Sequence, residues 1–287
     1  MRTIQDMDIR LQQSEKVIPK RSSRSVKSCL KTLRQTKVYK YVEWLKNIVR
    51  RKSRDTEASH FSHILYIDET GTDGRTNKIA YIGCLFDAQG STGLTEKIMA
   101  FNQDLLDQPR FAGKNGGVMR ADESRHYVDD HFTVRELFYR KVIDKLPMRV
   151  YVVSASYDKD NLEDIKLKLM TRLIEVARST KRVTNLEIVA EASSKNFDQK
   201  FQDVVFKNKE YLPLSIADYI AGGVRACYEI IAKARAGEKI TEKSSSFNFQ
   251  FYFSIENMIA YEQDTSANTI SGRRRRSVGD ELRSVLQ

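Results

Sequence analysis

The stretch Ile64-Leu65-Tyr66-Ile67-Asp68-Glu69-Thr70-Gly71 passes from an apolar run straight into two adjacent carboxylates and a glycine. A short apolar run closed by a turn residue reads as a buried strand that ends at the rim of a sheet. A strand end is rigidly placed, and metal-dependent chemistry needs rigidly placed acids. The pattern predicts a strand over 63–69, a turn over 70–77 rich in Gly, Thr, Asp and Asn, and a second strand over 78–87, together a hairpin. What decides function is whether later carboxylates meet Asp68 and Glu69.

Further elements follow from periodicity. Leu94, Ile98, Met99, Phe101 and Leu105 recur at helical spacing and predict a helix over 93–107. Pro109, Gly113, Gly116 and Gly117 mark a loop over 108–120, in which Val118-Met119-Arg120 is a candidate short strand. A helix is expected over 132–146, a strand over 148–157, a long helix over 161–179 and a short strand over 185–190. A small helix over 195–204 and a long helix over 213–236 come next. The aromatic alternation over 248–255 predicts an edge strand. Strands alternating with helices imply an α/β mixed sheet flanked by helices, with an antiparallel part contributed by the hairpin. This is the element order of a ribonuclease-H-like fold.

Three of these strands end in acids: the first at Asp68-Glu69, the strand 148–157 at Asp158, and the strand 185–190 at Glu191. Parallel strands in such a sheet converge at their carboxyl ends, where ligands bind. Asp218, early in the long helix after Pro213, joins them if that helix begins over the same edge. Carboxylates held close repel one another, and a divalent cation relieves the repulsion. Oxygen-only donors suit Mg²⁺ or Mn²⁺, and two such ions clamp the attacking and leaving oxygens of a phosphodiester. Plainer readings stand beside this one. Asp68 and Glu69 also suit a solvated turn. Ser215-Ile216-Ala217-Asp218 has the spacing of a helix capping box, in which Asp218 complements the helix dipole.

Charge is unevenly placed. Of a net +11, residues 1–60 hold 16 Lys and Arg against 6 Asp and Glu, and residues 265–287 hold 5 against 2, so 61–264 is left slightly acidic at −2. Three regions follow: a basic N-terminal extension over 1–60, a core over 61–264, and a basic, disordered tail over 265–287. Basic arms attract polyanions, nucleic acid first among them. Within the first extension, Tyr41, Trp44, Leu45, Ile48 and Val49 predict a basic amphipathic helix near 38–52. Cys29, Cys84 and Cys227 are isolated, which fits the reducing cytoplasm. No apolar run is long enough to span a membrane. His60 and His63 lack companions for a zinc site, Gly113-Lys114 lacks the glycine spacing of a P-loop, and there is no Gly-x-Ser-x-Gly elbow.

Three blocks resemble the prokaryotic "domain of unknown function 3800" (DUF3800) family. Tyr66-Ile67-Asp68-Glu69-Thr70-Gly71 is similar to its opening Asp-Glu-Ser-Gly motif, with Thr70 for the usual Ser. Arg125-His126-Tyr127 with Asp129-Asp130, then Arg135-Glu136-Leu137-Phe138, is similar to its middle His-and-acid segment. Leu214-Ser215-Ile216-Ala217-Asp218-Tyr219-Ile220-Ala221-Gly222 is similar to its closing Leu-x-x-Ala-Asp-x-x-Ala-Gly helix. The resemblance spans about 62–235 and implies a ribonuclease-H-like domain with Asp68, Glu69 and Asp218 as metal-site acids. Glu191 stands where the family strand often ends in Asp. Family members are often found with bacterial defence or mobile elements. The expectation is a Mg²⁺- or Mn²⁺-dependent nuclease with Asp68, Glu191 and Asp218 as ligands, Glu69 as a further ligand or orienting group, and Asp158 as an additional acid. Lys159, His126 and Arg135 are the candidate substrate contacts. The alternative is a non-catalytic nucleic-acid- or protein-binding chain acting through its basic arms.

Overall fold

The computed structural model describes residues 61–72, 76–111, 120–193, 195–238, 250–265 and 278–286. Expectations for 1–60, including the amphipathic helix near 38–52, lie outside these residues, as do Val118 and Met119. The described residues build a six-stranded sheet in the order β5-β4-β1-β2-β3-β6. Strands β1 (His63–Thr70), β2 (Lys78–Asp87) and β3 (Met148–Ser156) form an antiparallel meander. Strand β4 (Leu186–Glu191) lies parallel to β1 on its other side, with Ile67 level with Ala190. Strand β5 (Val204–Lys207) extends that edge parallel to β4, and β6 (Ile259–Asp264) adds to β3 in parallel at the far edge. This is the mixed sheet with flanking helices expected of a ribonuclease-H-like α/β fold.

The sheet's pleat sorts the core into two layers. On one face Leu65 and Ile67 of β1, Ile79 and Tyr81 of β2, Tyr151 and Val153 of β3, and Ile188 and Ala190 of β4 join one apolar cluster. The helix Leu162–Arg178 covers it with Leu169, Met170, Leu173 and Ala177. On the other face lies the long helix Leu214–Arg235, which touches β1, β2 and β4. Its Ile216, Ile220, Val224, Cys227 and Ile231 recur at three- and four-residue spacing and are buried. Each fully buried Ile or Val contributes roughly 1.5–3 kcal/mol. In chain order the described helices of nine or more residues are α1 (Leu94–Leu106), α2 (Phe132–Lys141), α3 (Leu162–Arg178), α4 (Leu214–Arg235) and α5 (Val278–Leu286).

Several expectations are corrected. The helix expected over 132–146 stops at Lys141, and a short 3-10 turn, Ile143–Lys145, follows. The small helix expected over 195–204 is one turn, Lys195–Asp198, after which the chain enters β5. The aromatic stretch taken as an edge strand over 248–255 is helical over 250–256, because Phe251, Tyr252 and Ile255 are buried together at helical spacing. The sheet edge beside β3 is supplied by β6 instead. Within the region expected to be a disordered tail, Val278–Leu286 forms α5, which packs on α4 with Leu282 fully buried and Arg235 paired to Glu281 at 3.0 Å.

Gly71 fixes where β1 ends. Its φ of +94° suits glycine, and a Cβ there would lie 2.1 Å from the Lys78 carbonyl oxygen. That turn leaves Asp68 at the carboxyl end of the strand.

Candidate active site

Asp68 and Glu191 end neighbouring parallel strands. Because Ile67 is level with Ala190, Asp68 is level with Glu191, and both side chains lie on the α4 face of the sheet. Asp218 arrives from the first turn and a half of α4, which crosses that face. The electrostatics carry the mark of this convergence. Burial pushes the Asp68 carboxyl well above the usual carboxylate range, and the charges of Asp218 and Glu191 push it further. Burial and Asp218 likewise raise Glu191, against the opposing pull of His126 and Lys209.

A clamp fixes Asp218. Its Oδ2 accepts a hydrogen bond from the Tyr127 backbone N–H at 2.6 Å, and its Oδ1 faces His126 Nδ1 at 3.6 Å. Ser215 Oγ accepts from the Arg125 N–H at 2.8 Å. The capping-box reading of Ser215 and Asp218 is therefore corrected. The N-cap is Pro213, Ser215 lies inside the helix, and both side chains receive the 124–127 segment instead. The ring of Tyr127 rests on Gly222, one turn beyond Asp218, where a Cβ would lie 2.2 Å from the ring. Beneath the segment, buried Arg125 pairs with buried Asp130 at 3.1 Å, and Tyr219 donates its hydroxyl hydrogen to the same carboxylate. Burial raises the Asp130 carboxyl, with Arg125 and Tyr219 opposing.

Glu69 is not brought to this face. Side chains alternate along a strand, so Glu69 points toward α3. There it accepts hydrogen bonds from the Tyr81 hydroxyl at 2.6 Å and from Lys166 Nζ at 2.9 Å. Lys166 is mostly buried on α3. Glu69 is thus locked by its own partners and orients the end of β1.

Asp158 also stays apart. It precedes the 3-10 turn Lys159–Asn161, and its N–H donates to Asn161 Oδ1 at 3.0 Å, so it shapes the entry to α3. Lys159 opens that turn beyond the end of β3. Arg135 lies at the site. Its guanidinium covers the Tyr127 ring at 4.2 Å, and it donates to the carbonyls of Asp130 at 2.8 Å and Val128 at 3.3 Å. A cleft of about 250 Å³ opens beside the acids. Asp68, Glu69, Asp218, Tyr127, Val128, Arg135, Gly222 and Arg225 are among the residues that border it, and Glu191 approaches Asp68 from the β4 side.

No protein-family model matches the chain, and no curated protein matches it. Among solved structures, the chain is similar to the ribonuclease H2 from Pyrococcus horikoshii OT3, at 14% identity and a TM-score of 0.38, covering 77% of this chain and 97% of that one. It is similar to a mutant protein of Bst-RNase HIII, at 12% identity and a TM-score of 0.37, covering 67% of this chain and 62% of that one. It is also similar to Bst-RNase HIII in complex with Mn²⁺, at 12% identity and a TM-score of 0.36, covering 79% and 71%. The strand order and pairing, rather than these distant overlaps, establish the fold.

The donor chemistry suits a hard divalent cation: three carboxylates from three elements, with Asp218 raising the proton affinity of both Asp68 and Glu191. Among the described residues, no three His, Cys, Asp or Glu side chains stand close enough to form a finished metal cage. A cation held by these three acids would need their side chains to turn toward one another. Sequence reading missed Lys166, Lys209 and the Arg125–Asp130–Tyr219 network. Isolated charges at no regular spacing give no signal of which surface they meet.

Proposed function

We propose that the chain is a Mg²⁺- or Mn²⁺-dependent phosphodiesterase acting on nucleic acid, built on a ribonuclease-H-like domain of the DUF3800 type. The convergence of Asp68, Glu191 and Asp218 on one sheet edge carries this reading. These three residues would hold the cation. When bound, such an ion supplies Lewis-acid polarisation of a phosphoryl oxygen and acidifies water beside it.

The chain's own residues set the rest. Tyr127 N–H occupies Asp218 Oδ2, which fixes the carboxylate's orientation and leaves Oδ1, 3.6 Å from His126 Nδ1, to face a cation. His126, its Nδ1 3.6 Å from Asp218 Oδ1 and its Nε2 2.9 Å from Ser124 Oγ, would orient or relay a proton at that edge. Arg135 keeps positive charge at the cleft border, where a phosphate would enter. Glu69, held by Tyr81 and Lys166, would orient the end of β1 rather than ligate the cation. Bacterial defence or a mobile element is the setting that the motif blocks suggest. Buried Cys84 and Cys227, neither held in a disulfide, support the cytoplasmic expectation. Among the described residues, no helix is long and apolar enough to cross a membrane.

The test is cleavage of labelled single- and double-stranded RNA and DNA with Mg²⁺, Mn²⁺ or EDTA. Metal-dependent cleavage abolished by Asp68→Asn and by Asp218→Asn is the expected result. Cleavage that survives both substitutions sinks the mechanism. Salt-sensitive binding that ignores divalent metal and vanishes on deleting 1–60 favours the non-catalytic alternative.

A further inference from the structure

Among the described residues, three large apolar side chains stand markedly exposed: Val128 at 59%, Phe132 at 58% and Val205 at 40%. Two of the three lie four residues apart, the first of them at the cleft. Val128 borders it directly. Phe132 opens α2, and Arg135, three residues on and so on the same helix face, reaches back to the Val128 and Asp130 carbonyls. That reach ties the first turn of α2 to the segment bordering the cleft. The His131 ring backs Phe132 at 4.4 Å between centroids, which stiffens an otherwise bare aromatic.

An exposed aromatic with a free face is costly to leave in water and suits a flat partner. The bases inside a duplex have both faces covered by their neighbours. Only an unpaired base offers a face to stack on a side chain. Positive charge at the same rim, from the Arg135 guanidinium, complements a phosphodiester backbone. We propose that Phe132, with Val128 beside it, is a stacking platform for an unpaired base of a single-stranded nucleic acid whose backbone passes the Asp68–Asp218 cleft. This rests on the nuclease reading and narrows its substrate to single strands, or to single-stranded segments of a longer molecule.

The test measures affinity of the full chain carrying Asp68→Asn, so that the strand stays intact, at physiological salt. The probes are a single-stranded oligonucleotide, its blunt duplex, and a single strand bearing 2-aminopurine. Phe132→Ala and Phe132→Leu weaken single-strand binding by roughly 5- to 150-fold. Phe132→Tyr retains it, duplex affinity is unchanged, and Val205→Ser changes neither. Quenching of 2-aminopurine on binding is lost in Phe132→Leu. Equal affinities for Phe132→Ala and the parent overturn the platform, as does a matching loss on duplex. So does a change of oligomeric state on Phe132→Ala without a change in single-strand affinity, which marks a self-association patch. A wild-type chain that binds and cleaves no oligonucleotide removes the nuclease reading as well. Cleavage with a silent Phe132→Ala removes only the platform.

Discussion

Replacing Gly222 by alanine tests how the 124–131 segment is seated on α4. A Cβ at Gly222 would lie 2.2 Å from Tyr127 Cγ, 2.4 Å from Cδ1 and 2.5 Å from Cβ. Carbon atoms rest at about 3.5–4.0 Å, so the ring must retreat by more than ~1 Å. The ring is boxed in by Tyr219 at 5.8 Å, Phe251 at 6.1 Å and the Arg135 guanidinium at 4.2 Å. Its retreat therefore takes the backbone with it. The Tyr127 N–H then loses Asp218 Oδ2, now at 2.6 Å. Three effects compete. Alanine favours a helix interior over glycine by about 1 kcal/mol. Overpacking costs about 1–3 kcal/mol, and losing a hydrogen bond to a charged group costs roughly 1.5–3 kcal/mol. The net is a destabilisation of about 1.5–5 kcal/mol, a fall in Tm of roughly 3–20 °C at ~2–4 °C per kcal/mol. Thermal unfolding of the full chain measures it. In a Tyr127→Gly background all three of these contacts are gone, and most of the cost of Gly222→Ala disappears with them. A Gly222→Ala chain that unfolds at a higher temperature than wild type refutes the seating.

Other predictions concern the acids. Burial and two neighbouring carboxylates raise Asp68 above its value in the unfolded chain, so the folded state keeps that proton longer. The stability this gives is fully present below about pH 3.9 and is lost as pH rises through the raised folded value. Asp68→Asn is therefore expected to stabilise the fold at pH 7 while abolishing cleavage. The gain should shrink toward zero near pH 4 in urea titrations across pH, and a gain that grows on acidification contradicts the sign. Saturating Mn²⁺ at about a hundred times Kd adds roughly 2.7 kcal/mol to wild type. EDTA reverses that gain, and Asp68→Asn or Asp218→Asn abolishes it in thermal scans. Glu69→Gln keeps cation affinity and most activity, because Tyr81 can still donate to the amide oxygen. Lys166→Met leaves the Glu69 carboxylate short of its partner and costs about 1–3 kcal/mol of stability with cation affinity retained, as unfolding and titration calorimetry would show.

Much of this was legible in the chain. The run Ile64–Ile67 and Gly71 located β1 almost to the residue, because burial and a positive φ are local demands that composition reveals. The long α4 was legible from its repeating apolar face. The short strand β5 and the half-buried edge strand β6 were not, since four residues or a polar edge carry little periodicity. The aromatics of 250–256 misled because Phe251, Tyr252 and Phe253 are consecutive and fit either period. Asp68, Glu191 and Asp218 were singled out by position at or near element ends. Whether Glu69 would ligate or only orient was open from the sequence, and alternation along β1 turns it toward Lys166 on α3. The clamp on Asp218 joins residues 91 apart, and its contacts exist only in the folded chain.

The central claim is that Asp68, Glu191 and Asp218 hold a divalent cation together. Anomalous diffraction from crystals grown with saturating Mn²⁺ tests it directly. The account predicts a manganese peak bounded by these three carboxylates, with Asp218 Oδ2 still receiving the Tyr127 N–H, and no such peak in Asp68→Asn crystals. Saturated crystals with no manganese between the three acids, or with manganese bound at Glu69 or Asp158 instead, would contradict it.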